Sequence, residues 1–416
     1  MKPACLTNAS TTDGDTALAG LLLNSLPLNR PVYAACLATV GPAGTRIATI
    51  GCDLQKTFHI GSISKALNGL IYTDMVQTRL ISPHDRLEEH LPLAGTAAGE
   101  ATLESCLTHT SGLPATGGGI RSAARALGAV LTGGDPQPEN LDDLMKQLRR
   151  SRIRHPGRFS YSNLAASALG HALAAADGAD YPTLVRNRLT IPLGCPRLRA
   201  QQPAQRNLPH DLNALTVWGT DQLPWTGQGY GPAGVIRGSA HDFATVMSTL
   251  LADDCVYEDA FRVRFTDDTE SVAAGWFVED KSDRTLVWHN GYASGFGAHM
   301  VLDRQRRRGA FISVVSPYPD ADIEPVALTM LDAAVLATSS VRGHDDSRTF
   351  SSVPEDQGAG SSLNDIVGDG LQLVDLQHPL DLGEQSLHYA EVAAGQSLDR
   401  GDGLRIREIL RVQFST

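Results

Sequence analysis

The rhythm of apolar and polar positions changes three times along the chain. Ala17 to Leu23 is a short apolar run preceded by Asp13 and Asp15, which predicts an amphipathic helix over about Asp15 to Leu26. Pro31 to Val40 and Thr45 to Gly51 are apolar and β-prone, and Gly41-Pro-Ala-Gly44 between them predicts a hairpin. Phe58-His-Ile-Gly-Ser62 then opens a helical pattern to about Arg79, with Ile63, Leu67, Leu70, Ile71 and Met75 on one face. From Ser82 to Ser239, short helical patterns alternate with turns such as Ser111-Gly-Leu-Pro114 and His155-Pro-Gly157. Strand signals return at Ser271 to Val278, Leu286 to His289, Ala298 to Leu302 and Gly309 to Val315, and a last helix is expected over Glu324 to Thr338.

Strands at both ends of this region with helices between them predict an α+β (mixed α/β) chain. We expect an antiparallel sheet flanked by helices, built from residues 1–81 and 240–340, with a mainly helical insertion over 82–239. Residues 341–370 are rich in Ser, Gly and Asp and read as a linker. In the extension 371–416, Leu404, Ile406, Leu410, Val412 and Phe414 suggest one strand.

Composition narrows the partners. The net charge of −11 argues against wholesale binding to nucleic acid or an anionic membrane. No apolar run reaches the ~18–20 residues that span a bilayer. Asp13 and Asp15 stand where a signal peptide wants positive charge, and the six cysteines are scattered without a C-x-x-C pair. These features lead us to expect a cytoplasmic protein with reduced thiols. There is no His-Glu-x-x-His and no paired Cys/His set at ligand spacing, so neither metal nor cofactor is expected. His84 and His90 around Glu88 and Glu89 read as an exposed helix face, and the basic run Arg304 to Arg308 as a solvated hairpin tip.

Three stretches carry chemistry. In Ser62-Ile-Ser-Lys65 a helical spacing of three puts the amine over the hydroxyl. A serine needs a neighbouring base to become nucleophilic, and a lysine must be made less basic by ~4 kcal/mol to serve at neutral pH. Alone the pattern is weak: with five lysines, roughly a third of an occurrence arises by chance, and an N-cap serine beside an exposed lysine is the ordinary alternative. In Tyr161-Ser-Asn163 a phenol able to relay a proton stands two residues from an amide able to orient a carbonyl; alone it reads as a turn. In Trp288-His-Asn-Gly291-Tyr292, Gly291 permits close approach of a ligand, His289 can bind a carboxylate or tune Lys65, and the N–H of Tyr292 can join that of Ser62 as an oxyanion pair. Alone His289 reads as a satisfied strand-end histidine.

Together, and in this order, these stretches resemble the serine β-lactamase and penicillin-binding superfamily, on the branch of class C β-lactamases, D-alanyl-D-alanine carboxypeptidases and family VIII esterases. Phe58-His-Ile-Gly-Ser-Ile-Ser-Lys65, Leu107-Thr-His-Thr-Ser-Gly-Leu-Pro114, Pro156-Gly-Arg-Phe-Ser-Tyr-Ser-Asn163, Gly231-Pro-Ala-Gly234 and Trp288-His-Asn-Gly291 carry the likeness, over about Pro31 to Ser340. The resemblance implies that Ser62 is acylated, Lys65 is its base, Tyr161 relays the proton and Asn163 orients substrate or lysine. It also implies that His289, Asn290 and Gly291 replace the Lys-Thr-Gly of most lactamases, with Tyr292 where a glycine is usual. Leu107 to Pro114 is then a structural turn near the site, with no catalytic part for His109.

The expected function is an acyl-serine enzyme cleaving a small ester or amide. A transacylase that passes the acyl group to an amine or alcohol is the first alternative, and a non-catalytic receptor or scaffold on the same fold is the second.

Overall fold

The computed structural model describes residues 5–333 apart from 8, 27–30, 119–124, 126–127, 130–131, 204–207, 217, 294 and 318–322. The linker at 341–370, the extension at 371–416 with its expected strand, and the end of the last helix lie outside the described residues. Strand β1 (Thr12–Gly14) leads into helix α1 (Thr16–Ser25), whose cap is the Asp15 carboxylate accepting from the N–H of Leu18 at 2.9 Å. The expected hairpin follows as β2 (Ala34–Gly41) and β3 (Gly44–Ile50). Then come β4 (Thr57–His59) and helix α2 (Ile63–Gln77).

Between α2 and the closing strands lie the helices Leu141–Arg150 and Asn163–Ala176, with the short strands β5 (Arg199–Ala200), β6 (Ala214–Leu215) and β7 (Asp221–Gln222). After β8 (Ile236–Ser239) and the helix Ala240–Leu250, the chain returns through β9 (Phe265–Thr266), β10 (Ser271–Val272), β11 (Phe277–Asp280), β12 (Thr285–Ala293), β13 (Phe296–Asp303) and β14 (Arg308–Val315). It ends in the helix Ile323–Ala333.

The main sheet has the order β1-β3-β2-β14-β13-β12-β11-β10-β9 and is antiparallel throughout. The two ends of the region meet where β2 pairs with β14. Period-two alternation assigns the faces. Ala34, Cys36, Ala38, Val287, Met300 and Phe311 point into the core shared with α2, while Ala35, Leu37, Leu286, Val301 and Ile312 pack under α1 and the last helix. Both faces are covered, so β14 reads as one apolar run. A second sheet, β4-β8-β5, joins the segment before Ser62 to strands from the inserted region. No helix among the described residues is long and apolar enough to cross a membrane.

Two strand expectations are corrected. Ser271 to Val278 is not one strand but β10 and β11, split at Gly275. Gly275 holds φ +70°, and a Cβ there would stand 2.5 Å from the carbonyl oxygen of Lys65, so the chain turns where it meets α2. The strand expected to stop at His289 continues to Ala293 in unbroken register with β13. The hairpin tip Arg304–Arg308 is ion-paired: Arg304 with Glu258 at 2.9 Å, Arg306 with Asp283 and Asp303 at 3.0 Å, and Arg307 with Asp253 at 2.8 Å.

Candidate active site

Helix α2 is buried nearly all round, from Ile63 through Met75, and not only along the expected apolar face. Its polar side chains must therefore find partners inside the protein. The turn Gly231–Gly234 supplies two of them. Asn68 donates to the carbonyl of Pro232 at 2.8 Å and accepts from the hydroxyl of Tyr181 at 2.8 Å. Ser64 accepts from the N–H of Ile236 at 3.1 Å. Lys65 Nζ donates to the carbonyl of Ala233 at 2.7 Å and lies in hydrogen-bond contact with Ser62 Oγ at 2.8 Å. The sequence reading gave this turn no part in the chemistry, yet it orients the amine. Gly170 is why it fits: a Cβ there would meet Pro232 Cβ at 2.2 Å.

Ser62 stands at the N-terminus of α2 but does not cap it. Its backbone is helical, at φ −64° and ψ −12°, and its hydroxyl makes no cap bond. The ordinary reading of a Ser-x-x-Lys pair is therefore absent: the hydroxyl faces the amine instead. Lys65 is only 4% exposed. Burial holds its ammonium form well out of favour, so its pKa lies well below that of a free lysine.

Tyr161 covers this pair. Lys65 Nζ lies 5.0 Å from the centre of the phenol ring, and the hydroxyl of Ser62 bonds the phenol oxygen and partly offsets the rise in pKa that burial causes. Tyr161 just precedes the helix Asn163–Ala176, whose cap is Ser162, accepting from the N–H of Ala165 at 2.9 Å. Asn163, the first helical residue, keeps its side-chain oxygen buried with no hydrogen-bond partner among the described residues. An unpaired buried amide oxygen is costly and marks a place where a ligand donor fits.

His109 is the residue that sequence reasoning set aside. Its ring stacks on Tyr161 at 4.4 Å between centres, and its Nδ1 accepts from the N–H of Ser162 at 3.1 Å. The residue adopts φ +60° and is buried. Burial pushes its pKa well down, so it stays neutral. The signal was the His-Thr-Ser-Gly turn, but nothing in the text shows that the backbone there turns left-handed and lays the imidazole on the phenol.

Strand β12 closes the other side. A Cβ on Gly291 would lie 1.9 Å from the carbonyl oxygen of Ile60 and 2.7 Å from the Ser62 nitrogen. Gly61, at φ +53°, would place its Cβ 2.6 Å from the Tyr292 nitrogen. The backbones of residues 60–62 and 291–292 thus run in contact, which brings together the two expected oxyanion donors, Ser62 and Tyr292. His289 shares the inner face with Gly291 and is 1% exposed. Its Nδ1 donates to the carbonyl of Asn290 at 2.5 Å, and burial pushes its pKa down to about 3. It is therefore a neutral hydrogen-bonding group and supplies no positive charge for a carboxylate at neutral pH.

Asn290 is a correction. In regular register its position belongs to the outer face with Leu286 and Trp288, opposite His299, so its side chain does not share the Ser62 face. Its contribution to the site is the carbonyl that holds His289. A surface groove of about 540 Å³ beside β3 and the helix Ala240–Leu250, lined by Thr45, Ile47, His241 and Thr245, contains none of the candidate residues.

Known proteins share this fold. The chain is 23% identical over 287 residues to the D-alanyl-D-alanine-carboxypeptidase/endopeptidase AmpH of Escherichia coli K12, covering 63% of this chain and 71% of that protein. Its fold is similar to that of a class C beta-lactamase from Rhodobacter sphaeroides, with TM-score 0.64 and 19% identity over 77% of this chain and 100% of the other. A D-alanine carboxypeptidase AmpC from Burkholderia cenocepacia gives TM-score 0.64 and 18% identity over 76% and 99%. The Beta-lactamase family model matches residues 38–334, a span that carries most of the sheet and the serine-lysine-tyrosine cluster, and the chain belongs to the beta-lactamase family, with its serine hydrolase-type fold.

Proposed function

We propose that the protein is an acyl-serine hydrolase of small esters or amides, with Ser62 as nucleophile. The observation that carries this reading is the dry amine of Lys65 beside the Ser62 hydroxyl, with the Ala233 carbonyl taking one of its N–H groups. A neutral amine has two N–H bonds and one lone pair. With one N–H held by Ala233, the lone pair is free to accept the Ser62 proton as Oγ attacks the carbonyl carbon. The oxygen of the tetrahedral intermediate gains its charge against the N–H groups of Ser62 and Tyr292, where loss of a single such donor costs about 3–4 kcal/mol. The proton taken by Lys65 is handed on through the phenol of Tyr161 to the departing group, which restores both side chains and leaves an ester on Ser62. Asn163, with its unpaired oxygen, and the neutral His289 orient the substrate. Water then attacks the ester by the same route in reverse and frees Ser62.

Incubation with a fluorophosphonate followed by intact-mass and peptide mapping tests the reading. We expect one adduct, on Ser62, absent in Ser62→Ala, together with turnover of p-nitrophenyl esters that the same variant abolishes. Turnover that survives Ser62→Ala overturns it. Adding amine acceptors to the ester assay separates hydrolysis from transfer: the expected product is free acid in either case.

A further inference from the structure

Residues 149–158 read Arg-Arg-Ser-Arg-Ile-Arg-His-Pro-Gly-Arg, a dense positive stretch on a chain of net charge −11. Arg150, Arg152, Arg154 and Arg158 are exposed, and among the described residues no carboxylate lies within ion-pair distance of any of them. Arg149 donates to the carbonyl of Pro92 at 3.0 Å rather than to an acid. Of the nearby acids, Asp143 pairs with Lys146 at 3.5 Å, and Asp267 accepts from Thr269 and Glu270 and feels the charge of Arg158 only from beyond ion-pair distance. The run Arg304–Arg308 shows the contrast, since Arg304, Arg306 and Arg307 there each have an acidic partner.

The unpaired loop is fixed beside the site. The N–H of Arg154 donates to the carbonyl of Gly112 at 2.8 Å, that of Gly157 to Thr110 at 2.8 Å, and that of Ser160 to His109 at 2.9 Å. It is thereby sewn to the turn whose His109 stacks on Tyr161. Arg158 precedes Tyr161 by three residues, at most about 11 Å of chain. On the opposite wall His289 is neutral, so the charge available to an anionic substrate lies on the Tyr161 side.

We propose that this loop is a binding rim for a leaving group that carries a multiply charged oxyanion, such as a phosphate or phosphonate, with Arg152, Arg154 and Arg158 as the binding set. The proposal rests on the reading of Ser62 and Tyr161 above. A single exposed ion pair contributes little, whereas several guanidinium forks on one short loop act together on a group with several charged oxygens. Such focused charge raises encounter rates tenfold or more at low salt.

The test is a charge ladder on one phenol: the 3-carbamoylphenyl, 3-carboxyphenyl and 3-phosphonophenyl esters of butyric acid, which are neutral, singly and doubly charged. We expect kcat/KM to favour the phosphonate over the neutral ester by about tenfold at low salt, and the advantage to fall at high salt. In R152Q/R154Q/R158Q the advantage should vanish while the neutral ester is cleaved as before. The neutral ester is the folding control, and R154Q and R158Q singly carry the test if the triple variant loses it. No advantage, or one that survives in the variant, overturns the proposal; so does a carboxylate favoured as strongly as the phosphonate in both proteins. If no ester is cleaved and the fluorophosphonate leaves Ser62 bare, the acyl-serine reading has failed separately. Calorimetric titration with phenylphosphonate then decides the rim: binding to the wild type alone supports it, and no binding, or equal binding to both proteins, overturns it.

Discussion

Lys65 Nζ donates a 2.7 Å hydrogen bond to the carbonyl oxygen of Ala233. A carbonyl accepts from an amine without demanding its charge, and among the described residues no carboxylate pairs with the buried lysine, so the neutral form is favoured. This has a consequence for stability with a definite sign. Between the lowered folded-state pKa of Lys65 and the ordinary lysine value, the unfolded chain binds a proton that the folded chain does not, so stability rises with pH through that window up to about 10.5. Lys65→Met should be more stable than the wild type at neutral pH, with the difference shrinking toward about pH 10. It should also lose at least ~10³-fold in ester hydrolysis. Urea unfolding against pH is the measurement, and a variant that is less stable at neutral pH contradicts a buried neutral amine.

The phenol oxygen of Tyr161 and its ring do different things. Tyr161→Phe keeps the stack on His109 and removes the proton relay, so kcat/KM should fall by about 10²–10⁴ with the melting temperature nearly unchanged. Tyr161→Ala removes the stack as well and should also lower the melting temperature. Steady-state kinetics beside calorimetry separates the two, and equal melting temperatures for both variants would count against a structural role for the stack.

Gly291 has no room for a methyl group. Gly291→Ala must push β12 away from Ile60 and Ser62, at a cost of about 1–3 kcal/mol, and should slow fluorophosphonate labelling of Ser62. Gly20 on α1 meets nothing within 4 Å and serves as the control. Gly20→Ala should gain about 0.5–1 kcal/mol with labelling unchanged. Denaturant midpoints and labelling rates for the pair check both.

His299 is buried, stacked on Trp288 at 5.6 Å, and its Nδ1 has no partner among the described residues. Burial pushes its pKa down to about 4. Between about pH 4 and 6.5 the unfolded chain binds the extra proton, so stability is lost as pH falls through that window, by roughly 2 kcal/mol at pH 5 from this group. His299→Phe preserves the stack and removes the titration. The variant should lose less stability than the wild type between neutral pH and about pH 5, and parallel acid limbs for the two proteins would rule this out.

Much of the site was legible because its chemistry is written in short spacings. Three residues along a helix bring Lys65 to Ser62, and a glycine in a strand signals the close approach that Gly291 makes. The fold class followed from strands at both ends of the region with helices between them. What stayed hidden depends on long-range contact. The break at Gly275 arises because the chain meets the carbonyl of Lys65, far away in sequence. Asn290 looked like part of the wall because the polar text His-Asn-Gly resembles a strand end; only the register with β13 shows that the strand runs on and turns the amide outward. The packing of His109 on Tyr161 was not legible, because a left-handed backbone on a histidine has no signature in the text.

The pairing of β2 with β14 joins residues near 35 to residues near 314, while Lys65 leans on a carbonyl at 233 and Ser62 on a strand at 285–293. A nascent chain released early would therefore contain Ser62 and Lys65 but none of the later segments that bury and orient them. Labelling of Ser62 by an electrophile thus reports finished molecules during synthesis and refolding, with half-built chains staying dark.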